Sequence, residues 1–231
     1  KKKNERIEEG RIKLSDLDID DFEPVSDGCP GISAKERKWL QVEKVQNGDS
    51  TPYLDAHGLK LEMDKWTYPL HFIDFETSMV ALPFTKGRKP YEQTAFQFSA
   101  HTLHKDGRME HHEWIDSNQG VFPNFEFVKQ LKAVLDKDEG TIFRYAAHEN
   151  TVLRQIQTQM LEDDEHKYGE LIEWIDSITE YKIGGVKTTG YRNMVDMLQL
   201  VRNYYYHPDM GGSNSIKKVL PAVMNGESIK V

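Results

Sequence analysis

Pro69-Leu70-His71-Phe72-Ile73-Asp74-Phe75-Glu76-Thr77 is an apolar and aromatic run closed by Pro69 at one end and by Thr77-Ser78 at the other. Its composition and its bounding residues predict a buried β-strand over 69–76. Side chains alternate across a strand, so Asp74 and Glu76 share a face, roughly 7 Å apart at Cα. Two carboxylates at the end of an otherwise apolar strand repel one another and lose hydration. A cation between them relieves both costs, and hard oxygen ligands of this kind suit Mg²⁺ or Mn²⁺. The same spacing also fits two solvated acids at a strand end, and the motif alone does not separate the two readings.

The 231 residues suit one domain, or one domain with an appendage. Ten Phe, ten Tyr and four Trp in a 38% hydrophobic sequence are enough for a sizeable core. No apolar run approaches the ~20 residues that cross a bilayer, and no signal-peptide pattern opens the sequence. The single cysteine, Cys29, excludes an internal disulfide framework and agrees with a reducing cytoplasm. The expectation is a soluble cytoplasmic protein with no membrane partner. A net charge of −8 argues against whole-surface binding to polyanions. It leaves room for a nuclease, because metal-binding acids add to the count and basic residues can cluster locally.

Residues 1–66 differ from the rest. A charged, weakly periodic start leads into the acidic stretch Ser15–Asp21 and then turn chemistry at Gly28–Gly31. Ser33 and Glu36 form a capping box for a short helix over 33–42. This region reads as an arm or linker with short helices, and 67–231 reads as the principal domain. Beyond the first strand, 94–103 and Met109–Ile115 predict two more, joined by the Asp106-Gly107 turn. Asn124 is a plausible N-cap for a helix whose apolar face is Phe127, Val128, Leu131, Val134 and Leu135. A fourth strand is expected over 141–147, with helices at about 149–162, 168–177, 194–205 and 214–224. Three antiparallel strands followed by strand–helix alternation make an α/β layered order.

A third acid, Glu149, follows the fourth strand and opens the next helix, where ligands gather in open α/β sheets. Taken alone, it fits better a structural glutamate favoured by the helix dipole. Phe72-Ile73-Asp74-Phe75-Glu76-Thr77 resembles the first motif of the DEDD exonucleases, the DnaQ-like branch of the ribonuclease H-like superfamily. Tyr145-Ala146-Ala147-His148-Glu149-Asn150-Thr151-Val152-Leu153 resembles the second, with Glu in place of the more usual Asp. The chain is more closely similar to a bacterial group known only as a domain of unknown function within that superfamily. Lys89–His101, Asp196–Pro208 and Gly212–Pro221 carry that likeness, which spans about 67–222.

The resemblance implies a ribonuclease H-like mixed sheet, a three-strand antiparallel meander plus a parallel strand, flanked by helices. It implies two-metal phosphodiester hydrolysis with two Mg²⁺ or Mn²⁺ ions, acting 3′→5′ on single-stranded DNA or RNA. Asp74 would bridge both ions, Glu76 would bind the nucleophile-side ion, and Glu149 would hold the other. The fourth Asp and a His or Tyr general base would come from a final helix, expected beyond Val231. Asp196 falls where the group has a helix-opening Asp, so N-capping is its expected task. A RecB-like nuclease domain alongside is a further implied partner, with Cys29 as a possible remnant of a neighbouring metal module.

Candidate nucleic-acid contacts are Thr77, Arg88, Lys89, Tyr91, His148 and Lys217. Lys86, Arg88, Lys89 and Tyr91 make a basic, aromatic loop after the first strand, suited to gripping phosphates and stacking a base; a solvated loop fits as well. His148 and Lys217 have equally plain alternatives in packing and in a solvated helix face. His111 and His112 face opposite ways on a strand, and His71 faces away from Asp74. The alternative to an enzyme is a catalytically silent nucleic-acid-binding or scaffolding module, and a non-nuclease metal hydrolase is a third reading.

Overall fold

The computed structural model describes residues 2–225; residues 226–231, the end of the expected principal domain, lie outside the described residues. Two compact units are present. One combines the residues up to Lys65 with those from Leu198 onward, and the other is Trp66–Met197. In chain order the elements are α1 (Lys2–Glu8), α2 (Ala34–Gln46), β1 (Tyr53–Leu54) and α3 (Ala56–Met63), then β2 (Leu70–Ser78), β3 (Thr94–Leu103) and β4 (Met109–Ile115). There follow α4 (Asn124–Leu135), β5 (Thr141–Arg144), α5 (His148–Ile178), β6 (Glu180–Ile183), β7 (Val186–Thr189) and β8 (Val195–Asp196). The last described elements are α6 (Met197–Tyr204), β9 (Tyr205–Tyr206) and α7 (Ile216–Asn225).

In the first unit, α2 starts as the sequence predicts. The Glu36 amide donates to Ser33 Oγ at 3.2 Å, and the Ser33 amide donates to Glu36 Oε2 at 2.7 Å. β1 pairs antiparallel with β9. The buried Arg37 guanidinium donates to the carbonyls of Val201, Arg202 and Tyr205, supplying donors that the last turn of α6 cannot find within itself. A small core of Tyr206, Met210, Val219 and Ala222 lies beneath.

In the second unit a five-stranded mixed sheet has the order β4-β3-β2-β5-β8. β2 is central, antiparallel to β3 and parallel to β5, and β5 is parallel to β8. The centre suits β2 because a strand hydrogen-bonded on both edges wants an apolar run. Ile73 and Phe75 face the core with Phe98, Ala100 and Ile142. α4 and α5 cover that face with Phe127, Val128, Leu131 and Leu135 and with Val152, Leu153, Ile156 and Met160. Each such side chain contributes about 1.5–3 kcal/mol by leaving water. A Cβ at Gly140 would collide with the Pro69 carbonyl, so glycine lets β5 begin tight against β2.

Several sequence expectations shift here. The sheet gains a second parallel strand, β8, because the helix expected from 194 begins only at Met197. The strand expected over 141–147 ends at Arg144, since Ala146 adopts φ +71, which no strand contains. The two helices expected after it are present as the two arms of α5, which meet at a kink at Asp164, where φ −162 and ψ 97 are extended. Asn124 is not the N-cap of α4; Pro123 holds that position. Asn124 is fully buried and cross-links three segments. Its Oδ1 accepts from Ala95 N–H at 2.8 Å, and its Nδ2 donates to the Gln93 carbonyl at 2.8 Å and to Gln159 Oε1 at 2.6 Å. Among the described residues no helix is long and apolar enough to cross a membrane.

Truncating Asn124 would strand the Ala95 amide in a dry interior. Asn124→Ala is expected to cost roughly 2–3 kcal/mol, read as a lowered urea midpoint with an unchanged slope. A loss under 0.5 kcal/mol would show that water reaches the site.

Candidate functional site

β2 carries its first two acids as strand alternation requires. Asp74 and Glu76 are exposed while Ile73 and Phe75 between and before them are buried. Asp74 lies opposite Ser99 and Glu76 opposite Gln97 on β3. The register then slips between Glu76 and Thr77, a bulge that re-aims the strand end where Thr77 sits half-buried.

β5 delivers the third acid. After Arg144 the chain turns through Tyr145, Ala146 and Ala147, and His148 and Glu149 form the first turn of α5. His148 is exposed, whereas Glu149 is only 3% exposed. Its Oε2 is buried with no hydrogen-bond partner. Burial pushes the Glu149 carboxyl up to about 7. Its own backbone amide and the Arg144 guanidinium pull the other way, while the charges of Asp74 and Asp196 push it further up. Glu149 is thus an electrostatic neighbour of Asp74 across the carboxyl edge of the parallel strands.

Arg144, which no motif singled out, and Asp196 hold this edge together. Arg144, 2% exposed, donates to the Ala146 carbonyl and pairs with Glu180 at 3.2 Å and with Asp196 at 3.5 Å. Asp196 is its register partner on β8, and Asp196 Oδ1 accepts the Ala146 amide at 3.0 Å. The signal for Arg144 was present in Thr141-Ile142-Phe143-Arg144: a charge inside a buried strand needs a partner. Asp196, expected as a helix cap, ends β8 immediately before α6 and also reaches across the sheet.

The remaining candidates do not join this group of acids. Arg88 forms a two-pronged ion pair with Glu92 and lies 3.7 Å above the Phe122 ring. Lys89 pairs with Glu162 at 2.6 Å, and Tyr91 is exposed with φ +56. Arg88 and Lys89 border a cavity of about 600 Å³ that starts at Ser78 and is walled by Phe84, Phe96 and Phe122. Lys217 is exposed on α7, in the other unit, as is Cys29 in its loop. His71 is a packed residue, bonded to Thr102 Oγ1 and Asp138 Oδ1, both at 2.9 Å.

The donor set fits a hard divalent cation: oxygen ligands only, one of them a buried carboxylate oxygen without a donor. Among the described residues no three His, Cys, Asp or Glu side chains converge closely enough to hold an ion by themselves. Mg²⁺ is commonly held by one or two carboxylates, completed by waters and substrate phosphates, so a looser set is chemically sufficient.

The family model described as "Domain of unknown function (DUF2779)" matches residues 71–215. No curated protein matches the chain, and no solved structure matches it.

The Glu149 titration has a definite sign. Its ordinary value is 4.5 and its folded value about 7. Protonated, it suits its burial, so its contribution is whole below about 4.5 and is lost as pH rises through about 7, a span of about 3 kcal/mol. Glu149→Gln is therefore expected to gain stability over the native chain from pH 5 to pH 8, measured by urea unfolding in EDTA. A difference that stays flat across that range would contradict the assignment.

Proposed function

The chain belongs to this family, and we propose that it is a divalent-metal-dependent nuclease of the DEDD type on a ribonuclease H-like sheet, hydrolysing single-stranded DNA or RNA from the 3′ end. The observation that carries the reading is the buried Glu149 oxygen, without a hydrogen-bond donor, at an edge it shares with Asp74. A buried carboxylate that folding leaves unsatisfied costs stability, and such costs concentrate at sites of function. The strand order, with β2 central and two parallel neighbours beyond it, supports the fold assignment.

Asp74, Glu76 and Glu149 would hold Mg²⁺ or Mn²⁺. When bound, two such ions supply an activated water and stabilise the leaving oxygen. The chain's own contributions follow from where its side chains lie. Asp74 and Glu76 are open to solvent, leaving room for a phosphate. Glu149 is half-ionised near neutral pH, so a cation beside Oε2 would draw it fully into the charged form. The cavity beyond Ser78, with its three phenylalanines and the stacked Arg88, suits an unpaired base better than a duplex. Lys89 stands at its rim for phosphate, and Thr77 lies at the bulge between cavity and acids.

A second reading, a non-cleaving nucleic-acid-binding module, is favoured by the lack of a converged three-acid cluster among the described residues. Labelled single-stranded DNA and RNA incubated with Mn²⁺ decide between them. The native chain is expected to release mononucleotides, and Asp74→Ala to be slower by at least about a hundredfold, since metal-held charge stabilisation is worth several kcal/mol. Equal rates in both proteins would remove the enzyme reading. Retention of the strand without cleavage would establish the binding module.

A further inference from the structure

Three residues before Glu149 the backbone adopts a conformation that an L-residue resists. Ala146 has φ +71, in the left-handed region where a Cβ crowds the following carbonyl. Glycine is the usual occupant of such a position. Here the conformation is held from both sides of the residue. The Ala146 amide donates to Asp196 Oδ1 at 3.0 Å, and the Ala146 carbonyl accepts from Arg144 Nη1. Arg144 and Asp196 are themselves register partners on adjacent parallel strands and pair at 3.5 Å. The other arm of Arg144 reaches Glu180 at 3.2 Å, which keeps the buried guanidinium from swinging away.

We propose that Arg144 and Asp196 are positioning residues that clamp Ala146 in its left-handed turn, and so set the direction in which α5 leaves β5 and presents Glu149 beside Asp74. The nuclease reading is deepened by this clamp, and only its catalytic consequence rests on that reading. Asp196 thereby has a task fifty residues away along the chain, beyond opening α6. Nothing in the arrangement asks Asp196 to touch substrate or metal. It acts through the peptide groups that bracket Ala146, and a shift of about 1 Å at Glu149 is enough to lower a catalytic rate on the order of a hundredfold.

Three substitutions separate a clamp from a generic core contact. Asp196→Ala removes the acceptor for the Ala146 amide. Asp196→Asn keeps an oxygen there and loses only the charge. Ala146→Gly removes the need for a clamp, because glycine takes positive φ freely. Amide exchange at Ala146 in the metal-free, substrate-free chain is expected to quicken about ten- to hundredfold in Asp196→Ala, the weight of one charge-assisted bond. It is expected to stay near native in Asp196→Asn. In the Mn²⁺-dependent cleavage assay, Asp196→Ala should lower kcat about a hundredfold with KM within about twofold, and adding Ala146→Gly should recover most of the loss.

Unchanged exchange in Asp196→Ala overturns the clamp, as does an Asn variant impaired as badly as the Ala variant. If Asp196→Ala alone does not fold, the Asp196→Ala/Ala146→Gly pair decides: the clamp requires it to fold, and its failure overturns the proposal. If the native chain cleaves nothing, the nuclease reading falls by itself, and the exchange measurement still decides the clamp.

Discussion

β2 is hydrogen-bonded along both edges while its two faces meet opposite environments. One face supplies Ile73 and Phe75 to the core, and the other carries Asp74 and Glu76 outward. A slip of one residue would drive both carboxylates into the layer beneath α4 and α5, so the register is fixed by the cost of burying charge. That register then positions β3 through the Phe75–Phe98 pair and β5 through the Phe72–Phe143 pair, whose rings stack 4.9 Å apart. The acids end up at the edge where the parallel strands finish and α5 begins because the core leaves them no other place.

The electrostatics of that edge follow from its burial. A guanidinium withdrawn from water must be matched by acids, and Arg144 is matched by Glu180 and Asp196. Glu149 is withdrawn almost as fully but keeps one oxygen without a donor. The two residues are five apart in sequence, and each keeps one buried atom without a partner, Nε of Arg144 and Oε2 of Glu149, although both Nη groups of the arginine are met by acids. A buried structural carboxylate would normally have both oxygens satisfied.

Much of the sheet could be read directly. The Asp106-Gly107 turn separated β3 from β4, whose observed ends match those predicted, and the Ser33–Glu36 box placed the start of α2. What stayed hidden has local physical reasons. Two residues, Val195 and Asp196, are too few to show a strand period, so β8 looked like the start of a helix. The left-handed turn at Ala146 has no glycine to announce it, because its conformation is held by side chains from elsewhere. Asn124 sits where a capping residue would, but its amide is used by a strand and by a helix far along the chain. At the candidate site, alternation was enough to put Asp74 and Glu76 on one exposed face. The depth of Glu149 depends on how α5 packs, which short-range pattern does not encode.

Asn150, on the first turn of α5, exchanges two bonds with Glu180: its Nδ2 donates to the Glu180 carbonyl and its Oδ1 accepts the Glu180 amide, each at 2.9 Å. A carboxamide offers the same donor and acceptor as a peptide group, so this side chain impersonates one residue of a neighbouring strand. β6 therefore begins its run already matched, as though a further strand lay beside it, and its first peptide is closed to recruitment by another chain. The helix that carries Glu149 also seals the margin of the little hairpin next to it.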